Sequence, residues 1–266
     1  MNQTLKFQRN VRGRDFVVGD IHGAFDLVIG AMSKAKFDPT VDRLFAVGDL
    51  IDRGAGSGRC VKFLAQPYVH AVRGNHEDML IELYAKGNPD PAAIKFMAHR
   101  NGFGWWLSVP GGKRQEILAA IRALPLAIEI ETIRGTVGLV HADVPTGMAW
   151  EDFLADLEAG DAKTVETCLW GRGRIGRGDE SGVQGVGRVF VGHTPQWGGL
   201  TRYGNVYALD TGAVFGQQGI KDEGCLTMAH VVMKTESLVA PRKAVSLVDL
   251  RDDEGALTIP FGKSLL

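Results

Sequence analysis

Six residues able to bind metal or move protons follow short apolar runs at well-separated places in the chain: Asp20, His22, Asp49, Asn75, His141 and His193. Three oxygen donors and three imidazoles suit Mn, Fe or Zn, whereas Mg and Ca prefer all-oxygen shells and structural zinc prefers thiolates. One ion does not need six protein ligands when positions must stay open for water and substrate. Two ions sharing a carboxylate use the set economically, and a pair about 3.5–4 Å apart is the usual clamp for in-line displacement at phosphorus. Asp49, the acidic residue after the middle run, is the natural bridge. Any one of the six, taken alone, reads as a helix cap or a satisfied loop group. Six at the same kind of position do not.

These residues need elements that bring them together. Asp15-Phe16-Val17-Val18 reads as a buried strand, followed by Gly19-Asp20-Ile21-His22-Gly23 and a helical stretch over 25–37. The unit repeats with Leu44-Phe45-Ala46-Val47 before Gly48-Asp49, and with Tyr68-Val69-His70-Ala71-Val72 before Arg73-Gly74-Asn75-His76-Glu77. Val137-Gly138-Leu139-Val140 then delivers His141, and Val189-Phe190-Val191 delivers Gly192-His193-Thr194. Strands alternating with helices predict an α/β fold with a largely parallel sheet, whose carboxyl-end loops converge on one ligand-binding edge. Residues 91–124 read as a mainly helical insertion beside that edge. Alternating runs at 205–209, 227–233 and 245–248 predict a second sheet, giving a sandwich of two mixed sheets flanked by helices. No linker interrupts the pattern, so one domain over 1–266 is expected, with an extended strand region over 216–266.

Composition narrows the function classes. Thirty Lys and Arg against 31 Asp and Glu leave a net charge of −1, so no field of one sign points to a nucleic acid or membrane partner. No apolar run approaches the ~18 residues of a spanning helix, and the start Met1-Asn2-Gln3-Thr4-Leu5-Lys6 has no hydrophobic signal region; a cytoplasmic, monomeric protein is the expectation. Cys60, Cys168 and Cys225 are odd in number and lack CxxC spacing, which argues against a disulfide framework or a structural zinc site.

Gly19-Asp20-Ile21-His22-Gly23, Gly48-Asp49-Leu50-Ile51-Asp52-Arg53-Gly54 and Gly74-Asn75-His76-Glu77, then His141 and Gly192-His193-Thr194, resemble the motifs of the PPP-type metallophosphatases. The likeness is strongest to the small bacterial and phage serine/threonine phosphatases, and ordered motifs run from about residue 15 to 215. The resemblance implies a calcineurin-like metallophosphoesterase sandwich that hydrolyses phosphoserine and phosphothreonine in phosphoprotein or phosphopeptide substrates. It implies two divalent ions, Mn²⁺ foremost with Fe or Zn compatible. Asp20, His22 and Asp49 would hold one; Asp49, Asn75, His141 and His193 would hold the other. A hydroxide bridging them would attack phosphorus directly. His76 would be the general acid with Asp52 bonded to it, and Arg53, Arg73 and Arg172 would grip the phosphate together with Asn75.

Several features leave choices open. Arg174 lies close enough to Arg172 to compete as the third phosphate clamp. Gly171, Gly173 and Gly176 match G-x-G-x-x-G but do not open a helix directly after a strand, so a dinucleotide site is set aside. Gly262-Lys263-Ser264 lacks the upstream glycine of a P-loop. His70, His99 and His230 match no motif and are assigned to structure, and Trp105 and Trp106 to aromatic packing rather than to a substrate groove. A symmetrical diadenosine tetraphosphatase or other nucleotide phosphohydrolase is the alternative reading, and an inactive phosphoprotein-binding module a third. Metal affinity is expected to fall below about pH 6.5 as ligand imidazoles protonate, and activity to fall again in alkali as His76 deprotonates.

Overall fold

A computed structural model describes residues 2–232 and 256–260. Short, mainly apolar runs form the central strands. β1 (Thr4–Phe7) precedes β2 (Asp15–Val18), α1 (Phe25–Lys34), β3 (Arg43–Ala46), α2 (Cys60–Leu64), β4 (Val69–Ala71) and α3 (Asn75–Leu83). The insertion comprises α4 (Pro91–Asn101), a 3₁₀ turn (Phe103–Ser108) and α5 (Gly111–Arg122). Next come β5 (Ala127–Thr132), β6 (Gly135–Val140), α6 (Trp150–Ala159), α7 (Ala162–Trp170), α8 (Gly173–Arg177) and β7 (Arg188–Val191). The described chain closes with β8 (Thr201–Tyr203), β9 (Val206–Ala208), α9 (Ala213–Gln217), β10 (Cys225–His230) and β11 (Ala256–Pro260).

The strands form two mixed sheets, ordered β1-β5-β6-β7-β9-β8 and β11-β10-β2-β3-β4. β2, β3 and β4 run parallel in one sheet, as do β6, β7 and β9 in the other. Period-two alternation decides which face each side chain serves. Val17 and Phe45 point between the sheets, against Ile128, Leu139, Phe190 and Tyr207. Their neighbours Phe16, Val18, Leu44 and Ala46 face the layer of α1, α3 and the insertion. Val140, Val189 and Val191 face the layer holding Trp150, Phe153 and Leu157 of α6. With both faces covered, β2 has no polar face, and all four of its residues are buried.

The predicted elements meet the structure with shifted ends. The 25–37 helix stops at Lys34, the 205–209 run is β9, and the 227–233 run falls within β10 and the turn after it as far as residue 232, Met233 lying outside the described residues. The 245–248 run lies outside the described residues. β1 is a strand that local pattern did not signal; it pairs in parallel with β5, Thr4 opposite Ala127, more than a hundred residues away.

Candidate active site

The polar residues sit just beyond the carboxyl ends of the parallel strands: Asp20 after β2, Asp49 after β3, Asn75 at the start of α3, His141 after β6 and His193 after β7. All are buried. Glycines before them let the loops close up: a side chain at Gly74 would overlap the Asp49 carboxylate, and one at Gly192 would overlap that of Asp20. Among the described residues, six non-glycines have left-handed backbone, and five belong to this site: His22 (φ 46°), Asp49 (49°), Asp52 (71°), Arg53 (62°) and His193 (67°). Such conformations concentrate where a fold imposes positions on functional groups.

Asp49 stands between two groups able to hold an ion. One is His22, Asp49 and His76; the other is Asp49, His141 and His193. Its oxygens divide between them: Oδ2 lies 3.4 Å from His22 Nε2 and Oδ1 3.4 Å from His141 Nε2. Asn75 Oδ1 joins the second group, 2.8 Å from His141 Nε2 and 2.9 Å from His193 Nδ1. Asp20 accepts the His193 N–H at 3.1 Å and stands beside these groups rather than within either.

The hydrogen bonds prepare these rings for metal. His22 Nδ1–H donates to the Ile51 carbonyl and His141 Nδ1–H to the Val47 carbonyl, each at 2.8 Å, which leaves both Nε2 lone pairs facing inward. The His141 lone pair then confronts another acceptor, Asn75 Oδ1, and His193 Nε2 is buried without a partner. Acceptors crowded together, Asn75 Oδ1 against the imidazoles of His141 and His193 with the Asp49 carboxylate beside them, are a donor set completed by cations, so the residues present fit a dinuclear divalent centre. Burial, with the Arg53 charge beside it, pushes His22 well below its ordinary 6.5. Burial also lowers His141, and brings His193 down to about 3. These rings therefore stay neutral well into acid, so the acid limb belongs below the 6.5 suggested by unperturbed imidazoles.

Beside Asp49 lies a buried histidine–aspartate pair. His76 Nδ1–H donates to Asp52 Oδ2 at 2.7 Å, with both residues almost wholly enclosed. Burial alone would lower the His76 pKa, but the charge of Asp49 and the bond to Asp52 outweigh burial and Arg53, and the net direction is upward. The guanidinium of Arg53 reaches His22 Nε2 with one amino group and lies 2.9 Å from His76 Nε2 with the other.

The remaining arginines separate. Arg174 is buried: its Nε donates to Asp143 Oδ1 at 3.0 Å, and its amino groups reach the carbonyls of Val144 and Gly182. Arg172 is exposed and touches Thr194 Oγ1 at 3.2 Å, next to His193. Arg73 is turned to the end of α5, donating to the Leu124 carbonyl at 3.2 Å and to Asp78 at 3.3 Å. Arg174→Ala is expected to destabilise the fold by about 3–5 kcal/mol by stranding Asp143, while Arg172→Ala leaves the melting temperature in place and raises KM for a phosphopeptide roughly tenfold. Thermal melts and steady-state kinetics on the two variants check this.

Two functional positions lay beyond sequence reasoning. Glu77, quoted only as part of a motif, accepts from the backbone N–H groups of Asp49 (2.9 Å), Leu50 (2.8 Å), Ile51 (3.2 Å) and Gly74 (2.8 Å). It ties the Asp49 loop to the first turn of α3, and burial followed by the Asp49 charge raises its carboxyl to about 7. Trp106 is packed as expected, its indole N–H on Tyr84 Oη, but Trp105 donates to Asp52 Oδ1 at 2.7 Å. A glutamate three residues after an N-cap glycine was the available signal for Glu77, as half of a capping box.

The sandwich and its clustered ligands define a metallophosphoesterase, and comparison agrees: the model of the calcineurin-like phosphoesterases matches residues 16–197. The chain belongs to that family. It is similar to serine/threonine-protein phosphatase 1 of Salmonella typhimurium, 32% identical over 222 residues that cover 81% of this chain and 91% of that protein. It is also similar to the symmetrical bis(5'-nucleosyl)-tetraphosphatase of Methylococcus capsulatus, 30% identical over 152 residues, 56% of this chain and 49% of that one. A protein serine/threonine phosphatase structure from Saccharomyces cerevisiae shares the fold, with a TM-score of 0.54 at 14% identity over 99% of this chain and 85% of that one. Among the described residues no helix is long and apolar enough to cross a membrane.

Proposed function

We propose that the protein is a dinuclear-metal phosphomonoesterase that hydrolyses phosphoserine and phosphothreonine in proteins. One observation carries the reading: Asp49 offers one carboxylate oxygen to each of two ligand groups, 3.4 Å from an imidazole in both, with the Asp52–His76 pair alongside. Asp20, His22 and Asp49 would hold one ion, and Asp49, Asn75, His141 and His193 the other, with Mn²⁺ the foremost occupant. When bound, such ions neutralise phosphate charge and bring the pKa of water to near neutrality.

The chain's own residues supply the rest. The Arg53 fork reaches Nε2 of both His22 and His76, suited to the non-bridging oxygens of a phosphate, and Arg172 would reach the same group from the exposed side. Asn75 would contact that phosphate as well, and Arg73 would join only by leaving Leu124 and Asp78. His76 Nε2 faces Asp49 across 3.9 Å, so an imidazolium there can give its proton to a departing serine or threonine oxygen. The likeness to a protein phosphatase runs along most of both chains and favours a protein substrate, whereas that to the tetraphosphatase covers about half of each.

Stripping the protein with EDTA and restoring Mn²⁺ tests the reading. Hydrolysis of p-nitrophenyl phosphate should be absent without metal and return with it, and a phosphoserine peptide should be turned over faster than diadenosine tetraphosphate. Metal-loaded protein that prefers the dinucleotide would move the assignment to nucleotide hydrolysis.

A further inference from the structure

The helical insertion reaches the loop after β3 at adjacent residues. The Arg53 N–H donates to the Gly102 carbonyl at 2.9 Å, the Phe103 ring stands 6.5 Å from the His76 imidazole at an interplanar angle of 27°, and Trp105 Nε1–H donates to Asp52 Oδ1 at 2.7 Å. The geometry points to Trp105 as a positioning residue for the acid pair: its indole N–H holds the Asp52 carboxylate so that the other oxygen addresses His76 Nδ1.

A carboxylate has two acceptor atoms and turns freely about its last bond unless both are engaged. Asp52 is fully enclosed, and its two oxygens have one donor each, His76 on Oδ2 and Trp105 on Oδ1, both at 2.7 Å. The left-handed backbone at Asp52 sets where the side chain begins, and Trp105 sets how its end is rotated. Without the indole N–H, Oδ1 is buried and unpaired, so the carboxylate turns to seek another donor and the imidazole loses its alignment. Trp105 touches no reacting atom. Its effect passes through Asp52, and the inference rests on the reading of His76 as general acid.

Trp105→Phe keeps most of the ring and removes the donor. In the Mn²⁺-loaded protein it should lower kcat about tenfold for a phosphoserine peptide, whose alkoxide leaving group needs a proton, and less than twofold for p-nitrophenyl phosphate, whose phenolate does not. KM for the peptide should hold. In an Asp52→Asn background the same change should add nothing, because its route is already cut. Equal losses on both substrates with a lowered melting temperature would reduce Trp105 to packing, and unchanged kinetics would also overturn the inference. If His76→Asn fails to separate the two substrates, the acid assignment itself falls.

Discussion

Asp49→Asn should remove at least about 10³-fold from kcat/KM and reduce bound metal from two ions per chain to one or none. An ion acting as Lewis acid contributes several kcal/mol of transition-state stabilisation, and each 1.36 kcal/mol is a factor of ten. Every other proposed ligand touches one group, so its loss would weaken one ion first; Asp49 serves both. The amide is isosteric and can still accept the His76 N–H that now falls on Oδ1 at 3.0 Å, so the fold should survive. Desolvation pushes the Asp49 carboxyl up, but the positive charge that its neighbours His141, His76, His22 and Arg53 can carry outweighs it, and the net direction is downward. Elemental analysis after gel filtration, with a melt in EDTA, separates metal loss from unfolding. A variant that kept two ions and most of its activity would refute the shared-ligand arrangement.

His76→Asn carries the second large effect, a loss of about 10²–10⁴-fold in kcat for phosphoserine peptides, in the range of a missing general acid. The loss should be smaller for p-nitrophenyl phosphate. The pH profile gives an independent sign. An acid must be protonated, and the net field at His76 raises its pKa above 6.5, so its contribution is complete at lower pH and disappears as pH rises through the raised value. The alkaline limb of kcat should therefore lie above 6.5 in the parent protein and vanish in the variant. The acid limb belongs to His22, His141 and His193, which burial holds neutral, and should lie below 6.5 in both. An unchanged alkaline limb in His76→Asn would show that another group gives up the proton.

Much of this site was legible because its grammar is local. An apolar run, a glycine and a ligand occupy a handful of consecutive residues, and the convergence of strand ends follows from parallel pairing. What escaped depends on distant packing. β1 is recognisable only through its pairing with β5. The resemblance favours Arg172 with Arg174 close enough to compete, and the folded position of Asp143, which takes up Arg174, separates them. The glycine–glutamate spacing of a capping box announces the bond from Glu77 to Gly74, but its bonds to the backbone amides of Asp49 and Leu50 depend on how the two loops pack. Trp105 has the composition of core, and its polar edge acquires meaning only when the insertion docks on Asp52.

The left-handed backbone at five site residues bears on how this sequence can change. A left-handed residue costs up to about 1–2 kcal/mol that glycine would avoid, least at Asp49 and Asp52, whose short polar side chains tolerate the region. Drift toward greater thermostability therefore runs against the site at His22, Asp49, Asp52, Arg53 and His193, where the steric optimum is a residue without a side chain. An engineer seeking a hardier protein should leave those five alone and spend substitutions on the outer helices instead.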